Sequence, residues 1–199
     1  MTTVFWVSYG VLWLVLAVQG FAFLEVIRQI GLLRKQVGPY QGAALVPTKI
    51  DMGDPLPELT AVTAEDGRPA SWGDYVRSPV GMVLFLSTHC LTCRDIAEGA
   101  GPLARELGEE ASIVAVVEGQ REEVLAFARD AGLPASLVAI DEAGATAKGL
   151  GIQWSPAALS IRDHDTLGTA ALVNDIYQVD SFVSEELSRR NGDLAGSTA

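Results

Sequence analysis

The chain has 199 residues, 25 acidic side chains against 14 basic ones, a net charge of −11, and only two cysteines and two histidines. That length suits one domain plus an appendage. Between residues 51 and 199 the count is 24 acids against 10 bases, a net of −14, which argues against a nucleic-acid binder and offers nothing to anionic lipid.

Met1 to Leu24 has no charged side chain and contains the apolar run Val11 to Val18. At ~1.5 Å per residue, roughly 20 residues cross a bilayer core, so a single transmembrane anchor helix is expected within residues 1–36. A cleaved signal peptide needs a basic leading region and a small-residue cleavage site, and the chain shows neither. Orientation reads two ways. The bases Arg28, Arg34 and Lys35 follow the span, which by the positive-inside rule puts the domain inside, although long acidic domains also translocate. Residues 37–56, bracketed by Gly38-Pro39 and Gly53-Asp54-Pro55, show no periodicity and read as a tether.

Residues 57–190 alternate strands with helices. Leu59 to Thr63 and Pro69 to Ser71 form an expected hairpin around Glu65-Asp66-Gly67. Val80 to Ser87 is uncharged and apolar, a buried strand. From Leu91 to Leu107 the period changes to helical, with Ile96, Ala97, Ala100, Leu103 and Leu107 on one side and Pro102 expected to kink or interrupt the helix. Ser112 to Val117 is a strand, Arg121 to Ala131 a helix closed by Gly132, Leu137 to Ile140 a strand, and Ala143 to Leu150 a short helix. Ala158 to Ile161 and Thr169 to Val173 form a hairpin, followed by a closing helix from Tyr177 to Arg190. Residues 191–199 read as a disordered tail. The order predicts an α/β fold, a mixed sheet with helices on both faces.

The chemistry concentrates at Cys90-Leu91-Thr92-Cys93, between a buried strand and a helix. Thiols three residues apart can close into a small disulfide ring or share a soft metal. A helix N-terminus presents free N–H groups and the positive end of the macrodipole, which favour a thiolate at Cys90. Cys90 is the expected nucleophile, and Cys93, one turn on, resolves the mixed disulfide. Two buried small hydrophobes or half of an intermolecular zinc site are the alternatives. His89 adjoins the motif as a tuning residue, a ligand, or merely the variable residue before it. Pro156, in Trp154-Ser155-Pro156, can start a strand.

The run Val83 to Cys93, with Trp154-Ser155-Pro156 downstream, resembles the thioredoxin superfamily. Within it the chain is similar to membrane-tethered TlpA-like thiol–disulfide oxidoreductases, and most similar to MauD, the methylamine dehydrogenase accessory family. The resemblance takes in Arg28 to Leu33 and Val37-Gly38-Pro39 and covers all but the tail. It implies redox cysteines at Cys90 and Cys93 and a cis proline at Pro156 packed against them. The Ser155 backbone would then offer an edge to a substrate peptide and Trp154 apolar cover. It further implies a domain outside the cytoplasmic membrane that makes or rearranges disulfides in a partner protein during its maturation. A membrane dithiol protein would be the electron partner, with no organic cofactor. Glu118, with Asp141 behind it, is the candidate proton relay by position; each such residue is more often just a solvated strand-end carboxylate. Leu91 stands where many relatives have proline, which leaves oxidant versus reductant open, and nothing in the chain names methylamine dehydrogenase as client. The rival expectation is a copper-handling assembly factor on the same fold, which would recruit His164, the distal histidine, to the thiols.

Overall fold

A computed structural model describes residues 45–196, together with Trp6, Tyr9, 13–16 and 18–20 of the N-terminal stretch. The chain divides into two units, Met1–Gln41 and Gly42–Ala199. The anchor helix expected within residues 1–36 lies outside the described residues apart from those few. Trp6, Tyr9 and Trp13 are helical, with ring centroids 6.3 and 6.2 Å apart, edge to face. Among the described residues no helix is long and apolar enough to cross a membrane.

The second unit is built on a six-stranded mixed sheet in the order β1-β4-β3-β2-β5-β6. Its strands are β1 (Val62–Thr63), β2 (Val80–Ser87), β3 (Ala111–Glu118), β4 (Val138–Asp141), β5 (Ala157–Arg162) and β6 (Thr166–Leu172). The helices are α1 (Trp72–Tyr75), α2 (Leu91–Leu107), α3 (Arg121–Asp130), α4 (Ala145–Leu150) and α5 (Ile176–Gly196). β2, β3 and β4 are parallel, while β5 and β6 run back antiparallel beside β2. β2 is buried through its first seven residues, because helices cover both faces and leave no position for a polar side chain.

Alternation along the strands sorts the core into two layers. Val83 and Phe85 join Val114, Val116, Ala139, Leu159 and Ile161 under Trp72 of α1 and Leu150 of α4. Met82, Leu84 and Leu86, all nearly inaccessible, therefore face the opposite side. There α2 and α5 pack on the sheet and on each other. Burying each such side chain stabilises the fold by roughly 1.5–3 kcal/mol. α5 is also fastened to β5 by charge: the buried Glu186 receives Arg162 at 2.7 Å and Arg189 at 3.1 Å.

The structure departs from the sequence expectations at four places. α2 runs unbroken through Pro102, an exposed position where only one backbone bond is lost. The expected hairpin shrinks to a Val62–Pro69 bridge, and Val62 and Thr63 pair instead with Ile140 and Ala139 of β4. The closing helix extends to Gly196, six residues into the expected tail, with 197–199 outside the described residues. A helix already nucleated by the packing of Val179, Phe182 and Val183 can absorb the roughly 1 kcal/mol cost of Gly192.

The fourth departure concerns the tether, of which 37–44 lie outside the described residues. Residues 45–56 are docked along β6. Leu45 bridges Ala171 and Pro55 bridges Thr166, Val46 N–H donates to Ala170 (3.0 Å), and Gly53 N–H donates to Leu167 (2.8 Å). Val46 is buried in the core. β6 is an edge strand with open backbone groups, and this strap satisfies them. Isolated bridges impose no side-chain period, so the sequence showed none.

Candidate active site: a dithiol at the end of a parallel strand

Because β2, β3 and β4 are parallel, their C-terminal ends share one edge of the sheet, the edge where open α/β sheets bind ligands. Cys90 follows the end of β2, Glu118 ends β3 and Asp141 ends β4. Thr88 and His89 make the turn, closed by Cys90 N–H on the Ser87 carbonyl at 3.2 Å. Cys90 takes extended dihedrals (φ −103°, ψ 119°) as the N-cap of α2, and its sulfur accepts the Cys93 backbone N–H at 3.2 Å. This meets one of the orphan donors of a helix start with the sulfur of the cap residue. Leu91 beside it is 85% exposed.

Cys93 is the opposite case. It is fully buried on the inward side of the first turn with Ile96 and Ala97. Burial, assisted by the Cys90 sulfur, pushes its thiol up to about 12, because desolvation disfavours the thiolate. Both cysteines are free thiols in this structure. One is half-buried at a helix start, and the other is withheld from solvent beneath it.

The Ser155–Pro156 peptide is cis, and the Ser155 carbonyl lies 4.0 Å from the Cys90 sulfur. Ser155, the residue before Pro156, thus meets the Cys90 sulfur from 65 residues on in sequence, because β5 pairs antiparallel with β2 from Ala157 opposite Phe85. Trp154, 52% exposed, borders the same surface.

Glu118 is separated from this trio. Its strand position is opposite Ser87, its carbonyl receives Thr88 N–H at 3.3 Å, and no hydrogen bond joins its carboxylate to either thiol. The carboxylate lies on the wall of a cavity of about 330 Å³ that Trp154 and Ser155 also line. Asp141 is buried, and its two oxygens accept Ala145 and Thr146 N–H at 2.8 Å each. It starts α4 and has no oxygen turned to the thiols. Sequence reading missed Lys148, Gln153 and Gly144 on the cavity wall; none carries a motif, Gln153 arrives beside Trp154 in the loop before β5, and the β3–β4 pairing brings Gly144 and Lys148 here.

His89 is exposed, its backbone N–H 3.4 Å from the Ser87 hydroxyl. His164 lies past the end of β5, which sits opposite Val80 at the start of β2, and its Nδ1 is 3.4 Å from the Val76 carbonyl. Eight residues of strand at ~3.3 Å each put it roughly 25 Å from Cys90. The copper reading needs these residues together, and the sheet holds them at opposite ends. Among the described residues no group of three or more His, Cys, Asp or Glu is disposed to hold a metal ion.

Fold and site together define the class: a thioredoxin-like domain whose dithiol sits at the start of the helix after a central strand, against a cis-proline loop. The chain belongs to the AhpC/TSA family, whose sequence profile matches residues 52–174. In structure it is similar to a thioredoxin-like protein solved in the oxidised form (TM-score 0.60, 14% identity, 70% of this chain and 99% of the other). It is also similar to MTB DsbF (0.56, 18%, 66% and 98%). A third likeness is to the thioredoxin domain of a thiol–disulfide oxidoreductase from Bacteroides vulgatus (0.54, 16%, 68% and 99%). At these identities the likeness is one of fold. No curated protein matches the chain in sequence.

Proposed function

We propose that the chain is a membrane-anchored thiol–disulfide oxidoreductase, TlpA-like and MauD-like in kind, that exchanges disulfides with a partner protein during its maturation. The observation that carries the reading is the asymmetry of the two thiols: Cys90 caps α2 beside Ser155 at the surface, and Cys93 is buried one turn below. In the reducing direction the Cys90 thiolate attacks a client disulfide, forming one S–S bond and releasing one client thiolate. Cys93 then gives up its proton and attacks Cys90, releasing the second client thiol and leaving a Cys90–Cys93 disulfide. Two electrons pass to the client, and a membrane dithiol protein restores the pair. The oxidising direction is the reverse sequence. Pro156 and Ser155 form the surface on which the client backbone rests, and Glu118 is the candidate acid for proton traffic at the strand ends.

The test is a redox titration of the full chain in detergent micelles, in glutathione buffers with acid-quenched alkylation. A reversible two-electron transition between roughly −120 and −270 mV is expected, the span of known exchange catalysts, and its position gives the direction of transfer. Absence of any transition in that span refutes the exchange reading.

The charge-free stretch from Met1 to Leu24 supports the anchor, and the TlpA-like resemblance supports a domain outside the cytoplasmic membrane. A membrane-impermeant maleimide should label reduced Cys90 in intact cells after wall removal. Labelling only after permeabilisation reverses the orientation and agrees with the basic residues that follow the span.

A further inference from the structure

We infer that the cavity beside the cis-proline loop is a side-chain subsite that selects client segments carrying an arginine or lysine next to the reacting cysteine, with Glu118 as its anionic partner. The inference rests on the exchange reading above and adds the kind of client it serves.

Ser155 belongs to both places: its carbonyl is 4.0 Å from the Cys90 sulfur, and it lines the cavity. A segment whose cysteine is joined to Cys90 therefore crosses the cavity mouth with its neighbouring side chain. At about 330 Å³ the cavity takes a long side chain. Its walls are split in character. Phe85, Val116 and Ile152 come from the apolar core and suit a methylene stem, while Glu118 supplies a carboxylate. That is the pattern a lysine or arginine satisfies, with apolar body and charged tip.

The charges point the same way. No ion pair or hydrogen bond engages the Glu118 carboxylate among the described residues. Asp141, also on the wall, has both carboxylate oxygens engaged by Ala145 and Thr146 N–H. Among the described residues Lys148 is the one cation on the wall, and it turns its ammonium to the Ala143 carbonyl at 2.6 Å. Gly144 keeps the place open: a Cβ there would stand 2.8 Å from Glu118 Oε1, and its φ of +62° also resists a side chain. An anionic client residue would meet two carboxylates on a domain already at −14; a cationic one meets a wall carboxylate that has no partner among the described residues.

The test uses the full chain, reduced, in detergent micelles. The substrates are symmetric disulfide dimers of a short peptide with Arg, Ser or Glu on either side of its cysteine. Each rate is divided by the rate of the same dimer with dithiothreitol, which removes the effect of flanking charge on intrinsic disulfide reactivity. The Arg dimer is expected to exceed the Ser dimer by roughly fivefold, as for a partly exposed ion pair, with the Glu dimer slowest and the spread shrinking at high salt. Glu118→Gln should bring the Arg-to-Glu ratio close to one, and Glu118→Asp should keep the preference. All three peptides use the same thiol steps, so the ratio separates recognition from any part Glu118 has in proton transfer. Equal normalised rates in the unmodified protein, a preference for the Glu dimer, or a preference that survives Glu118→Gln overturns the subsite. Failure of every dimer, neutral included, overturns the exchange reading beneath it.

Discussion

Replacing Cys90 by serine is expected to remove disulfide exchange altogether, whereas replacing Cys93 by serine should stop the cycle halfway. The Cys90 sulfur is the one within reach of a client: it is half-buried, at the helix start, beside the Ser155 carbonyl. A hydroxyl there is no nucleophile at neutral pH and cannot form the first S–S bond, so the rate should fall to that of the peptide alone. Cys93 is inaccessible and can act only on a bond already formed at Cys90. Without it the mixed disulfide has no internal exit and persists until an external thiol cleaves it. Incubating each variant with an oxidised client peptide, followed by non-reducing electrophoresis and intact mass, should show an adduct in Cys93→Ser and none in Cys90→Ser. The opposite distribution of adducts would exchange the two roles and refute the geometry argued above.

Alkylation of the reduced protein should be confined to Cys90 across neutral pH. A thiol pushed from 9.0 up to about 12 has about a thousandfold less thiolate at any pH well below both values, each unit being a factor of ten. Thiolate is the reacting species with iodoacetamide, and burial adds a steric barrier. Peptide mapping after timed treatment at pH 7.5 should place the label on Cys90. Comparable labelling of Cys93 in the folded protein would contradict the burial that sets the order of attack. The same shift carries a stability consequence with a definite sign. A folded-state value raised above the unfolded one means the fold holds the proton more tightly. That contribution is full below about pH 9 and is lost as pH rises from about 9 toward 12. Reduced protein should therefore lose thermal stability over that interval more steeply than oxidised protein, which has no thiol to titrate.

These expectations draw unequally on sequence and structure. Two thiols three residues apart, an uncharged apolar strand before them and a helical period after them were enough to place Cys90 at a helix start, because each signal is local. Pro156 was legible only through resemblance; a proline before a strand has several plain uses, and only the antiparallel pairing of β5 with β2 brings its neighbour Ser155 to the sulfur. Glu118 was found by position at a strand end, yet its surroundings were not. Asp141 was named beside it, but the order β4-β3-β2 also sets Gly144 and Lys148 about it, and nothing in the intervening residues signals that. The strap over β6 was missed for a related reason: it is held by backbone bonds to an edge strand, which leave no mark on side-chain pattern.

The amino-acid sequence by itself determined most of the elements, the dithiol and its order along one helical turn, since propensity, period and i to i+3 spacing act between near neighbours. Tertiary structure alone decided that Cys93 is sealed while Cys90 is reachable, that the Ser155 carbonyl meets the Cys90 sulfur, and that a carboxylate with no partner among the described residues faces a cavity next to them. Those properties depend on burial and on strand order. Both are set by contacts between residues far apart in the chain, where hydrophobic area is removed from water without regard to sequence distance.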